Sequence, residues 1–203
     1  VHTGAIFTPV NKERQQKLLN ELHIENTDYI IFNAGSGGHK VQGILAADIY
    51  AQAAKEISKN NQITCVVLYG SNYPHEVHSK EKVIAIKQLE NSDFINLIEA
   101  AKAVVISGGD TLLQTIALQK PCLTTPVSKD QPDRISACIA KNLVLSCSTR
   151  VSDIGKAASQ LLDIKAQQEL TNNLRLSNQK NGLEIAMQDI KNLLHTSTKD
   201  SLT

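Results

Sequence analysis

The sequence predicts an α/β protein built on one doubly wound parallel sheet with a helical tail. Three observations carry that prediction. Strand-length runs such as Tyr29-Ile30-Ile31-Phe32 and residues 63–69 and 103–106 are dominated by apolar residues, with no polar alternation. A strand that is apolar on both sides is buried on both faces, as the strands of parallel sheets are. These runs alternate with helix-length segments, the pattern of helices layered on both faces of a sheet. Two of the runs also end in glycine-rich turns that open helices, where such sheets place their ligands.

Taken in order, residues 1–28 read as a lead-in and linker segment. It holds a short amphipathic helix over 11–22, with Leu18, Leu19 and Leu22 on one face. The core spans 29–164. Its first strand ends in Asn33-Ala34-Gly35-Ser36-Gly37-Gly38, and an Ala-rich helix is expected over 41–58. Strands follow at 63–69 and 82–86, then a helix over 91–101 capped by Asn91 or Ser92. The strand at 103–106 runs into Ser107-Gly108-Gly109-Asp110, and a helix over 111–119 follows. A strand at 122–125, a loop over 126–132, a helix over 135–142, a strand at 143–146 and a helix over 151–162 complete the core. Residues 165–195 form C-terminal helices with a break near Asn181-Gly182, and the polar segment 196–203 is expected to be disordered.

A chain of 203 residues suffices for one such domain with a real core. Aromatics are only 3%, with no Trp, which argues against recognition by base stacking. The net charge is +1, with Lys and Arg interleaved among acids, so nucleic acid and anionic membrane are poor partners. No apolar run approaches the ~20 residues of a membrane span, and the first residues lack the apolar centre of a signal peptide. Cys65, Cys122, Cys138 and Cys147 are widely spaced and read as free thiols in a reducing, cytoplasmic compartment. The chain begins at Val1, as a fragment or a processed chain would.

The two glycine-rich turns, Gly35-Ser36-Gly37-Gly38 and Ser107-Gly108-Gly109-Asp110-Thr111, are the candidate ligand-bearing elements. Glycine admits close backbone approach, and a helix N-terminus presents unpaired N–H groups and a positive dipole end. Together they suit a diphosphate. The plain alternative is that Gly and Ser merely turn the chain, with Asp110 or Thr111 capping its helix. Neither turn has the Lys-Ser/Thr pair of a Walker loop, and the first lacks the third glycine of a dinucleotide fingerprint. On the residues alone the reading is an anion or nucleotide site. His75 and His78 lie three apart and would suit a metal only on a helix; in a polar connection after Pro74 they read as a solvated loop. His39, next to the first turn, reads as a surface residue at a helix start, and the charges over 165–189 as a solvated face.

The run Gly109-Asp110-Thr111-Leu112-Leu113-Gln114-Thr115-Ile116-Ala117-Leu118-Gln119-Lys120-Pro121, followed by Pro126 and Asp130-Gln131, resembles the donor-binding signature of GT-B glycosyltransferases. It is most similar to glycosyltransferase family 28, the family of the lipid II-forming N-acetylglucosaminyltransferase. That pattern is roughly Gly-x-Thr-x-x-Glu, then Ala-Leu-Gly-Lys-Pro, a second Pro and a downstream Gln, and the spacing matches without a gap. The resemblance covers most of residues 29–195 and implies the Rossmann-like C-terminal half of a GT-B fold. It implies that Ser107, Gly108, Gly109, Asp110 and Thr111 border the donor diphosphate, Gln114 the ribose, and Asp130 and Gln131 the donor sugar. Gly35, Ser36, Gly37 and Gly38 would close over the phosphates, with Ile86 near the base. Here Gln114 stands for the family's carboxylate, Gln119 for its glycine, and Arg134-Ile135 for Asn-Ala.

The implied reaction moves a hexose-type sugar from a nucleotide donor, a UDP-sugar, to an acceptor hydroxyl. No metal or other cofactor is implied, because helix dipoles and backbone donors stabilise the leaving diphosphate. The general base and acceptor site of the family lie in an N-terminal domain, so no catalytic residue is assigned here. The implied partner is that missing domain or a separate subunit, through which membrane association would also come. Two alternatives stay open: a nucleotide-sugar hydrolase or epimerase of the same fold, and a scaffold that has lost donor binding.

Overall fold

The computed structural model describes residues 4–200, with side chains as far as Leu194. Strands β1 (Tyr29–Asn33), β4 (Thr64–Leu68), β5 (Val83–Ile86), β6 (Ala103–Ser107), β7 (Cys122–Thr125) and β8 (Leu145–Ser146) form one sheet in the order β5-β4-β1-β6-β7-β8. All its pairings are parallel. From β1 the chain steps outward through β4 to β5, then returns to the other flank of β1 for β6, β7 and β8. The strand order therefore reverses between β1 and β6, the place where doubly wound sheets bind ligands.

Helices cover both faces. On one lie α2 (Ala46–Asn61) and α6 (Val151–Leu161), packed on Ile30, Phe32, Cys65, Val67, Val105 and Leu123. On the other lie α1 (Lys12–Glu21), α3 (Asn91–Ala100), α4 (Asp110–Ala117) and α5 (Gln131–Ile139), packed on Ile31, Val66, Leu68, Val104 and Ile106. Alternate residues of one strand thus enter opposite cores, and β1, β4, β6 and β7 are buried throughout. That double burial is the reason these strands read as unbroken apolar runs. Helices α7 (Ile164–Leu176) and α8 (Leu183–Asp200) follow, α7 capped by Asp163, whose carboxylate accepts from the N–H groups of Lys165 and Ala166.

Several expected boundaries move for local reasons. Residues 41–45 do not belong to α2 but to a small hairpin, β2 (Lys40–Val41) with β3 (Ile44–Leu45). Its turn residues Gln42 and Gly43 both have positive φ, 51° and 85°, the signature of a tight two-residue hairpin turn. The hairpin closes on α2 through the Ala46 N–H donated to the His39 carbonyl at 2.8 Å. Helix α3 is capped by Glu90 without a side-chain bond, in place of Asn91 or Ser92, because both residues already have helical geometry. Helix α4 starts at Asp110 with Gly109 as its cap, so neither Asp110 nor Thr111 caps it. Helix α5 begins at Gln131, inside the expected loop; Pro132 falls in its first turn, where no N–H is needed. Helix α8 continues through Asp200 into the expected disordered tail, since each residue added to an existing helix costs little. Residues 201–203 lie outside the described residues.

The register of α4 positions the second glycine turn, and two adjacent leucines test it. Leu112 is fully buried in the core beneath β6, while Leu113 is 36% exposed. Leu112→Ala should cost about 2–5 kcal/mol and Leu113→Ala under about 0.5 kcal/mol in urea unfolding. Equal losses would mean that the helix is rotated from this register.

Candidate functional site

The carboxyl ends of β1 and β4, the segment after β5 and the starts of α3 and α4 converge on an open cleft of 250 Å³ lined by Asn33, Gly35, Ser36, Leu68, Gly70, Ser71, Gln88, Leu89, Phe94 and Thr111. One wall is the first glycine turn, and a buried amide holds it. Asn33, 5% exposed, donates from Nδ2 to the Leu68 carbonyl at 2.9 Å and to the Gly35 carbonyl at 3.1 Å. Its Oδ1 accepts from the Gly35 N–H at 3.2 Å, so the turn is fastened to the neighbouring strand before any ligand arrives.

Behind this wall the chain after β4 packs backbone to backbone. A Cβ on Gly37 would lie 2.5 Å from the Tyr69 carbonyl oxygen, and one on Gly70 would lie 2.2 Å from the Ser36 carbonyl carbon. Both glycines have positive φ, 94° and 98°. The Asn72 N–H donates to the Ser36 carbonyl at 2.8 Å. Tyr73, stacked at a tilt on Tyr69 with centroids 4.5 Å apart, donates its hydroxyl to Asp48 at 2.6 Å. Burial, and then that hydrogen bond to Asp48, raises the Tyr73 phenol above its ordinary pKa and keeps it a donor. Gly37 and Gly38 therefore face this support, Gly38 against Asn72, and not the cleft. His75 packs edge-on against Tyr73, and the 75–78 segment is not helical.

The turn from β6 into α4 adjoins the cleft and contributes Thr111 to its lining. Ser107 is 3% exposed, and no hydrogen bond to its hydroxyl is found among the described residues. Its Oγ would lie 3.4 Å from a Cβ on Gly35 and 3.9 Å from one on Gly109, so it stands between the two glycine turns. Gly108 and Gly109 divide the work. A Cβ on Gly108 would press into Ile135 at 2.7 Å, whereas Gly109 has space toward Ser107 and the Gln131 amide nitrogen, 4.0 Å from its would-be Cβ. Gln131, 5% exposed, accepts at Oε1 from the Gly108 N–H at 3.2 Å and the Val127 N–H at 2.9 Å. Its oxygen thus ties the β6 and β7 ends together, and only its NH₂ remains for a ligand.

Charge surrounds the mouth. Arg134 donates to the Gly108 carbonyl at 2.8 Å and lies 3.4 Å from Asp110, whose carboxylate is 90% exposed at the start of α4. Asp130 accepts from the Ser128 hydroxyl at 2.5 Å, and this bond holds its carboxyl below the ordinary range, aided by Arg134 and His39. Gln114, one turn into α4, buries its Oε1 without a hydrogen-bond partner among the described residues. The Ile86 side chain packs into the α3-side core, and Gln88 and Leu89 form the cleft wall beyond it.

Of the residues singled out by sequence, Gly35, Ser36 and Thr111 line the cleft, and Ser107 stands beside it between Gly35 and Gly109. Asn33, Gln88, Leu89, Phe94 and Tyr73 were missed. An Asn at a strand end before Gly was the available signal for Asn33; nothing local marks the others, which arrive from three further segments. A larger hollow, 460 Å³, lies away from the mouth beside α2 and β5.

The fold is a doubly wound α/β unit with an open cleft at the carboxyl ends of its strands. Sequence comparison makes the class specific. Residues 6–162 match glycosyl transferase family 1, and the chain belongs to that family as a glycosyltransferase domain of the GT-B type. Among curated proteins no sequence matches. The fold is similar to that of the UDP-GlcNAc 2-epimerase from Neisseria meningitidis bound to UDP-GlcNAc, with TM-score 0.67 and 15% identity over 91% of this chain and 49% of that one. It is also similar to the calicheamicin glycosyltransferase, TM-score 0.63 and 13% identity over 84% of this chain and 43% of that one. The C-terminal CMP-Kdo binding domain of WaaA from Acinetobacter baumannii gives TM-score 0.55 and 12% identity over 83% of this chain and 97% of that domain. The chain spans about half the length of the first two proteins.

The division among glycines is testable. Gly37→Ala combines a left-handed φ with a backbone collision and should destabilise by at least about 2 kcal/mol. Gly109→Ala meets open space and should stay within about 0.5 kcal/mol of the parent in urea titrations. Comparable losses at both positions would contradict this placement.

Proposed function

We propose that this chain is the donor-binding half of a glycosyltransferase and holds the diphosphate of a UDP-sugar between the Gly35 and Gly109 turns. Ser107 carries the reading: its hydroxyl stands between two glycine turns at the start of a helix, 3.4 Å from a would-be Cβ on Gly35 and 3.9 Å from one on Gly109. The start of α4 adds N–H groups without intrahelical partners and the positive end of the dipole. The family 28 pattern over 109–121 supports a hexose-type donor. In this reading Thr111 and the NH₂ of Gln131 face the donor, and the base lies against Leu89 and Phe94.

The reaction so assigned is displacement of the nucleoside diphosphate by an acceptor hydroxyl. The role of this half is to bind the donor and stabilise charge on the departing diphosphate with fixed dipoles. The acceptor, its general base and any membrane contact belong to a partner half, covalently joined or separate. Catalysis needs donor, acceptor and base held within hydrogen-bonding reach, and the open cleft faces only one of these requirements.

UDP at about ten times its Kd should stabilise the fold by ~1.4 kcal/mol and raise Tm by about 3–6 °C, with uridine doing less for want of a diphosphate. Ser107→Ala should abolish most of that shift. A flat response to millimolar UDP, TDP and GDP alike would favour the scaffold reading.

Asp110 provides a second test, because its exposed carboxylate sits where the diphosphate arrives and engages Arg134. Asp110→Asn removes a like charge and releases Arg134, and should tighten UDP binding about two- to fivefold by calorimetry at low salt. Weaker binding would place the carboxylate itself in contact with the donor. The 203-residue chain alone should transfer no sugar. Turnover by it that Gly109→Trp abolishes would mean that this half is self-sufficient.

A further inference from the structure

The connection from β4 to β5 is unusual for this architecture. Parallel neighbours are normally joined by a crossover helix that covers the sheet. Here residues 69–82 cross without one. The α2 face of β5 is consequently only partly covered, and Val83 and Ala85, which point to that face, stay half-buried in a hollow that Tyr69 also lines. The result is the hollow of 460 Å³, within the range of small-molecule sites.

Its rim is cationic. Lys55 and Lys59 reach it from α2, and Lys80 and Lys82 from the chain entering β5. None of these four makes an ion pair among the described residues. Lys82 donates only to the backbone and side-chain oxygens of Gln62, at 3.1 and 3.3 Å. Glu81 is the single acid on the lining, and His78 adds an imidazole. Four like charges around one apolar floor repel each other, a cost that an anion removes. The strand edge itself is closed to a further strand. Lys80 exchanges both backbone hydrogen bonds with Val83, and the Ala85 N–H donates to the Ser79 hydroxyl at 3.0 Å. Strand addition is thereby blocked while the face stays open.

We infer that this hollow is a second ligand site, separate from the glycine-turn cleft, for a soluble small molecule that joins a phosphate group to an apolar or aromatic body. The lysine rim takes the phosphate, and Tyr69, Val83 and Ala85 take the body.

The test follows amide chemical shifts of the full chain during titration with phenyl phosphate, with phenol and inorganic phosphate as controls. The expected result is saturable shifts over 80–85 and near Lys59, with each control binding roughly tenfold more weakly. Lys55→Gln/Lys80→Gln and, independently, Lys59→Gln/Lys82→Gln should each weaken phenyl phosphate roughly tenfold while leaving the UDP response at the cleft unchanged. These side chains are exposed, so both variants should keep the parent Tm. Non-saturating shifts at lysines over the whole surface, or affinity indifferent to both double substitutions, would overturn the proposal. So would lysine-dependent binding to phosphatidylglycerol vesicles without saturable binding of phenyl phosphate, which would make this face a membrane contact.

Discussion

The arrangement rests on the burial of β1 between two helical layers and two parallel neighbours. Every side chain of Tyr29–Asn33 is buried, and β4 and β6 take its backbone hydrogen bonds on either flank. A parallel sheet brings all its carboxyl ends to one edge, where the strands stop and backbone groups lose their partners. Amide side chains meet that need. Asn33 fastens the turn after β1 to the end of β4, and Gln131 fastens the turn after β6 to the chain after β7. An amide suits this position because one side chain carries both donors and acceptors.

With the turns fastened, glycines take two kinds of work. Gly37, Gly70 and Gly108 lack a Cβ because neighbouring chain or Ile135 occupies its place. Gly109 meets nothing nearer than 3.9 Å, and Gly35 is required by its φ of 92°, with Ser107 Oγ 3.4 Å from its would-be Cβ. The first group sets how closely the loops approach, and the second leaves a hollow between them. Around that hollow a cation and two carboxylates are balanced, with Arg134 held by both Asp110 and the Gly108 carbonyl. In the proposed function an arriving diphosphate would compete with Asp110 for the same guanidinium. Donor affinity in the proposed function is therefore set by a pre-existing ion pair as much as by the helix end.

The two sides of the sheet are finished differently. Past β6, helices α4 and α5 cover the crossovers, and their first turns carry much of the site. Past β4 the crossover is a loop, whose aromatic pair Tyr69 and Tyr73 supports Gly37 from behind and whose lysines rim the open face of β5. One loop thus serves as buttress for the cleft and as wall of the second hollow, and Tyr69 belongs to both.

Runs such as Ile30-Ile31-Phe32 and Val104-Val105-Ile106 were legible because burial on both faces leaves no polar position within a strand. The alternation of such runs with helices determined the doubly wound class, and the gapless run over 109–121 pointed to a GT-B glycosyltransferase. Sequence also marked both glycine turns, since few residues serve a strand-to-helix turn at a ligand-bearing edge. It did not separate Gly108 from Gly109, because that difference lies in Ile135, 26 or more residues away along the chain. The hairpin at 40–45 was hidden by Ala-rich continuity into α2, and only the left-handed turn at Gln42 and Gly43 decided it. The roles of Asn33 and Gln131 likewise depended on partners on other strands. Local pattern records which face a residue needs buried, so it determined the layers. Which distant group fills the space beside a residue is a property of packing, and that alone decided the site.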